Sequence, residues 1–306
     1  MNLTLIVMQC LNGMQLGVLL FLMAAGLTLV FGIMNFVNLA HGSLYMVGAF
    51  IGAFVYNRTG SFLLGLAVLI PAMVAIGMLL ETCVLRRLYR RDHLDQVLAT
   101  FGLILFFNEL MRIRWGPSPY YMEVPAALSG TVDLLGMPYP AYRLLIVAAG
   151  IAVALGCHLL VHRTRIGMLI RAGATHRTMV GALGVNIALL YALIFALGAV
   201  LAGVAGMLAG PILSVQPGMG EPILILTMVV IVIGGIGSIR GAFLGALLVG
   251  VIDTLGRTLL PAVLAQLFTR GAADMAGPAL ASMLIYILMA VVLALRPQGL
   301  FPVKHG

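Results

Sequence analysis

The stretch RTRIGMLIRAGATHRTMVGALGVN, Arg163 to Asn186, is where an otherwise apolar chain turns basic. Arg163, Arg165, Arg171 and Arg177 lie in it, and no Asp or Glu occurs between Asp133 and Glu221, so its charge is not balanced locally. Long hydrophobic stretches flank it on both sides. In a membrane protein such a segment belongs on the cytoplasmic side. Over 306 residues the chain is 62% hydrophobic and 8% charged, which excludes an ordinary soluble domain, near a quarter charged. Apolar runs of roughly 20 residues recur along the whole length, long enough to cross a bilayer as helices. The expected fold is therefore an all-α polytopic membrane protein, one integral domain over 1–306 with halves at 1–161 and 188–306 joined by a cytoplasmic loop at 162–187. Outer-membrane barrels would show short segments of alternating polarity instead.

The net charge of +8 does not indicate nucleic acid, because the basic residues fall between apolar spans rather than along one face. Cys10, Cys83 and Cys157 each stand alone in apolar sequence and are expected as inert core thiols. The first Lys or Arg is Arg58, so no cleaved signal peptide is expected.

Taken in order, spans are expected at Leu11–Ile33, at a short helix Leu44–Val55, and at Ser61–Val84. The cluster Arg86, Arg87, Arg90 and Arg91 then gives the strongest positive-inside signal. Asp95–Trp115 leads to a loop, Gly116–Pro140, whose five prolines predict at most short helices. Ala141–Val161 returns to the basic segment. The second half holds Ala188–Gly210, a short run into Gly234–Gly241, a helix to about Leu260, and a last span near Pro278–Leu295. On this topology 11 Lys and Arg lie inside and 6 outside, with Lys304 and the C-terminus cytoplasmic. Eight or nine crossings follow, according to whether a short helix is re-entrant.

Gly48 and Gly52, and the run Gly198, Ala202, Gly206, Gly210, recur every four residues and predict close helix contacts. Each half also carries an interrupted, Gly-rich pair of segments, near Asn35–Gly52 and Gly234–Gly250, suggesting an internal repeat whose breaks mark a pathway. Asn35, Asn38, His41 and Ser43 in the first, with Gly234, Gly235, Gly237 and Ser238 in the second, are candidate path residues. The structural alternative is that Asn and Ser cap broken helix ends. His41 has no second metal ligand at i+3 or i+4. Glu109 and Asp253 could relay protons in a carrier, or form helix pairs with Arg112 and Arg257.

Four stretches together resemble one family: GLTLVFGIMNFVNLAHGSLYMVGAF (Gly26–Phe50), GALGVNIALLYALIFALGAVLAGVAGMLAGP (Gly181–Pro211), VVIVIGGIGSIRGAFLGALLVGVID (Val229–Asp253) and the closing RPQGLF. In order, spacing and length they are similar to the LivH-type permeases of bacterial branched-chain amino-acid ABC importers, whose wider group includes ribose-type sugar permeases. The resemblance implies an inner-membrane subunit paired with a homologous second permease, two cytoplasmic ATPases that bind ATP and Mg, and a periplasmic binding protein. It also implies that Arg163–Asn186 is the coupling segment, with Gly181, Gly184, Val185 and Asn186 matching its A-x-x-x-G-I-N-like end. Val185 stands where Ile is usual, and Ala172 to Thr175 lack the acidic residue common near its start, so no particular salt bridge is carried over.

The residues themselves bear on coupling. The chain has no G-x-x-x-x-G-K-[ST] loop, so an ATP-driven step would need force from another protein. The alternative is that the arginines only set topology and touch lipid head groups. The expected function is a non-enzymatic permease subunit for branched-chain or other apolar amino acids, with amides, urea and aromatic carboxylates open. A proton-coupled carrier and a scaffold without transport are the alternatives.

Overall fold

In the computed structural model, residues 3–34, 36, 38–89, 91–134, 136–266 and 268–301 are described. The centre of the fold is α1 (Leu3–Met34), apolar on every side, with Val18 to Ala25 all buried. A helix hydrophobic all round can be stable only if enclosed, and α1 is enclosed by the second half of the chain as much as by the first. Its Gly13 and Gly17 meet Val251, Leu247 and Gly250 backbone on one side, and Gly26 meets Gly198 on another. At 1.5 Å per residue its 32 residues reach about 48 Å, more than a bilayer core requires.

Around it stand α2 (His41–Thr59), α3 (Phe62–Leu80), α4 (Arg86–Leu88), α5 (His93–Trp115), α6 (Ala141–Arg163), α7 (Arg165–Ala182), α8 (Ile187–Ala209), α9 (Gly220–Gly234), α10 (Ile239–Leu264) and α11 (Arg270–Leu295). Seven of these, α1, α3 with its extension through α4, α5, α6, α8, α10 and α11, are long and apolar enough to cross a membrane. The short helices α2 and α9 complete the nine hydrophobic segments expected. Pro71, Pro261 and Pro278 lie inside helices. The last lies inside α11 rather than at its start, because apolar helices packed on neighbours accommodate the missing amide.

The small-residue stripes pack as expected. A Cβ on Gly48 would lie 2.2 Å from the Gly203 Cα, and one on Gly206 2.0 Å from the Tyr45 carbonyl oxygen, so α2 and α8 touch along their backbones. The two halves also correspond. α1 packs on α10 as α8 packs on α3, and α2 crosses α8 as α9 crosses α1. α1 ends and α8 begins at the same end of the bundle, where Gly32 meets Gly237 and Arg86 donates to the Ala188 carbonyl. The correspondence is thus that of an inverted repeat.

Several expectations need correction. Gly116–Pro140 contains, besides a 3₁₀ turn at Ala126–Leu128, an antiparallel hairpin of β1 (Thr131–Leu134) and β2 (Met137–Pro140). Prolines 138 and 140 obscured it, yet a two-stranded hairpin is all edge and tolerates them. Tyr139 Oη and Arg143 both donate to Asn12 Oδ1, tying the hairpin end to α1. Burial pushes the Tyr139 phenol above the usual tyrosine value, so it remains a donor. Cys83 is exposed on the outer face rather than in the core, whereas Cys157 is buried and Cys10 half-buried. Residues 162–187, expected as a loop, are mostly the helix α7, because its Arg, Ala and Met residues carry helical propensity that polarity alone conceals. Arg90 and Lys304, counted on the cytoplasmic side, lie outside the described residues.

Candidate functional site

Two places carry the candidate residues: a basic helix lying outside the bundle, and a break inside it.

The basic helix is α7. Thr164 caps it by accepting from the Gly167 amide at 3.0 Å. It stops where Gly184 takes φ +86°, with Val185 N reaching back to the Val180 carbonyl. Asn186 then caps α8 by accepting from the Leu189 amide at 3.0 Å. The Gly184, Val185, Asn186 end is therefore a compact link between two helices, and force on α7 passes directly into α8. Arg171 donates to the Val161 carbonyl and fastens α7 to α6. Arg163 and Arg165 are exposed, as are Gly181, Gly184 and Asn186; Val185 is half-buried. The α7 backbone includes Arg177, but its side chain lies outside what the structure describes. Along one side run Met168, Met179 and Leu183, the last two 64% and 79% exposed. Apolar side chains set among exposed arginines outside the bundle have the composition of a partner surface.

The break follows Met34. Asn38 is fully buried, its Oδ1 accepting from the Ala40 amide at 3.1 Å, so it turns the chain into α2 as a capping residue does. Its Nδ2 and both ring nitrogens of fully buried His41 make no hydrogen bond among the described residues. Ser43 is buried two residues on; Asn35 lies outside the described residues. His41 sits against Gly26, eight residues before the end of α1, so α2 starts about 12 Å inside the bundle. α9 does likewise: its first residue, Gly220, lies against Gly42, where a Cβ on Gly220 would be 2.1 Å from the Gly42 carbonyl oxygen. The N-termini of two short helices thus meet in the interior.

That geometry moves the second break. The counterpart of the 34–41 interruption is the segment between Ala209 and Gly220, whose Val215 pairs with Tyr120. Gly234, Gly235, Gly237 and Ser238 instead form the turn between α9 and α10 at the basic end. Gly235 and Gly237 have φ +104° and +83°, Ser238 caps α10, and the closing Leu300 and Phe301 amides bond the Ile233 and Gly234 carbonyls. The two candidate groups are separate: one lies inside the bundle, the other under the closing RPQGLF. A Gly-rich run reads alike whether it bends between antiparallel helices or breaks one.

Glu109 and Asp253 form the helix pairs that their spacing suggested. Glu109 is a half-exposed surface residue 3.3 Å from Arg112, and Asp253 is buried but held by Arg257 at 2.9 Å. Two others had no sequence signal as interior groups. Glu221, in the first turn of α9, accepts from Asn108 Nδ2 at 2.6 Å, while Asn108 Oδ1 accepts from Gly218 N. Glu81 is fully buried and receives two bonds from Arg86, at 2.7 and 3.3 Å, and one from Tyr89 at 3.4 Å. Glu81 and Arg86 are five apart, a spacing that an α-helix turns away and the π-helical turn at Glu81–Leu85 brings together. Burial, and then the Glu81 carboxylate, hold the Tyr89 phenol well above its ordinary value, so it stays a donor.

Among the described residues no three His, Cys, Asp or Glu converge as a metal site would require. What the arrangement defines is a polytopic membrane permease: interrupted helices in an inverted repeat, with a linking helix exposed outside it. Comparison with known proteins makes the class particular. The family described as branched-chain amino acid transport system / permease component matches residues 9–293, and the chain belongs to that family. It is 29% identical to the high-affinity branched-chain amino acid transport system permease protein BraD of Pseudomonas aeruginosa, over 95% of this chain and 94% of that one. It is 28% identical to LivH of Escherichia coli, over 82% and 86%, and 26% identical to a probable LivH of Methanocaldococcus jannaschii, over 78% and 76%. No solved structure matches.

Proposed function

We propose that this chain is the permease subunit of an ATP-driven importer in the bacterial inner membrane, carrying branched-chain or other apolar amino acids. It pairs with a homologous permease and works with two cytoplasmic ATPases, which bind ATP and Mg, and a periplasmic binding protein. The names of its relatives support the substrate class; amides, urea and aromatic carboxylates remain within the proposed range. The basic end of the bundle, with Arg86, Arg87, Arg91 and the α7 arginines, faces the cytoplasm, and so does the C-terminus.

One observation carries the coupling: α7 presents exposed Met179 and Leu183 outside the bundle and runs through a capped two-helix link into α8. An ATPase docked on α7 would pull on α8, which lies against α1 through Gly26 and Gly198 and against α2 through Gly48 and Gly203. Movement of α8 therefore acts on the break at Asn38 to Ser43. Residues of this break line or gate the path at the interface with the second permease.

The test is the double substitution Met179→Asp, Leu183→Asp in the assembled importer. Membrane insertion should be retained while ATPase stimulation by loaded binding protein is lost. Unchanged stimulation would refute docking at α7. Glu109 and Asp253, each held by an arginine, are poorly placed as proton relays. Uptake by the chain alone in liposomes under a pH gradient would show the carrier reading to be right.

A further inference from the structure

A groove opens between α1, α6 and α10 at the basic end of the bundle, beside the Gly234–Ser238 turn. Its volume is about 430 Å³, and its apolar lining includes Phe21, Ile151, Leu155, Phe243 and Leu244, with Phe301 at one end. Phe21 and Phe243 meet edge to face at 5.1 Å. The polar members of the lining are Arg240, which carries a fixed positive charge, and His158, whose ring can donate a hydrogen bond.

Arg240 is exposed and, among the described residues, makes no hydrogen bond or ion pair. It stands two residues after the Ser238 cap, in a first turn of α10 that has no acid, so it adds to the positive end of the helix. The His158 ring lies 4.6 Å from that of His162, and Arg240 and Arg171 are near enough for their charges to act on His162. No acid balances them. α1, α6 and α7 contain no Asp or Glu, and Asp253, the single acid of α10, lies thirteen residues from Arg240, about 20 Å along the helix and bonded to Arg257.

An apolar groove with the unpaired Arg240 guanidinium and the His158 ring at one end, set where helices leave an apolar layer, matches an amphiphile with an anionic head. We infer that the groove holds one anionic phospholipid, its phosphate against Arg240 and His158 and one acyl chain along Phe21, Leu155 and Phe243. Basic pockets between membrane helices bind such head groups by the same combination of charge and burial. The inference needs the bundle to lie in a bilayer but not the orientation proposed above, so either can fail without the other.

The experiment is native mass spectrometry of the full chain, with its accompanying subunits, purified in a lipid-retaining detergent. It is paired with thermal midpoints after delipidation and addition of phosphatidylglycerol, phosphatidylcholine or inorganic phosphate. Wild type should retain an anionic lipid and be stabilised by phosphatidylglycerol, not by phosphatidylcholine. Arg240→Gln should weaken retention by about fivefold, and Arg240→Gln with His158→Gln by more. Leu244→Trp, which fills the groove and leaves Arg240 and His158 in place, should also lose the lipid, and it decides the matter if the double variant does not fold. Equal effects of the two lipids, unchanged retention in the variants, or stabilisation by inorganic phosphate as large as by phosphatidylglycerol would each overturn the inference. So would cross-linking of a cysteine introduced at Leu155 to another subunit.

Discussion

Replacing Glu81 by Gln keeps the side-chain volume and removes the charge that holds the π-helical turn. The carboxylate is fully buried and accepts from Arg86 twice and from Tyr89 once. Removing one partner of a buried ion pair costs about 3–5 kcal/mol because the other charge is stranded. Arg86 is not stranded here. Its side chain is 41% exposed and it also donates to the Ala188 carbonyl, so solvent and backbone recover part of the loss. A charge-assisted hydrogen bond contributes about 1.5–3 kcal/mol, and one such bond is the fair measure of what Gln cannot replace. The expected destabilisation is about 2–3 kcal/mol, a fall in the thermal midpoint of about 4–10 °C for a domain of this size. A cycle with Arg86→Gln, read by fluorescence-detected size exclusion after heating, should give a coupling energy of about 1.5–2 kcal/mol. Because Arg86 reaches the first turn of α8 just past the Asn186 cap, Glu81→Gln should also reduce coupled transport. Additive single effects, with no coupling term, would refute the claim that these two residues act as a pair.

Gly220→Ala should separate the two interior helix ends. Its Cβ would lie 2.1 Å from a backbone oxygen that cannot rotate away, an overpacking cost of about 1–3 kcal/mol visible as a lower midpoint and lost uptake. Asn108→Ala should leave Glu221 and the Gly218 amide without their partner, at about 1–3 kcal/mol, whereas Glu109→Gln on the same helix should be nearly silent in both stability and transport. Arg171→Ala should loosen α7 from α6, raising its amide hydrogen exchange while that of α8 stays slow. Asn186→Ala should cost about 1 kcal/mol as a lost cap and weaken ATPase stimulation more than Thr164→Ala, because only Asn186 lies on the side of α7 that leads to α8.

The chain's order of helices, and the clustering of its arginines between apolar runs, could be read from one dimension because both depend on local averages. A run of apolar residues must leave water wherever it lies in the fold, and a helix is the way one segment satisfies its own backbone there. The same holds for the Gly-spaced stripe from Gly198 to Gly206, which requires a close neighbour without saying which. Tertiary structure supplied the neighbours: Gly26 for Gly198, and Tyr45 for Gly206. Long-range placement also decided which polar groups matter. Glu221 finds Asn108 from 113 residues away, and Gly42 meets Gly220 although neither motif predicts the other, while Glu81 reaches nearby Arg86 only because a π-helical turn brings them together. Composition determined that this protein lives in a membrane and carries a basic link between two halves. Where its helices break, and which interior polar groups meet across the bundle, depends on contacts between residues far apart in the chain, and pattern along the chain contains no term for those.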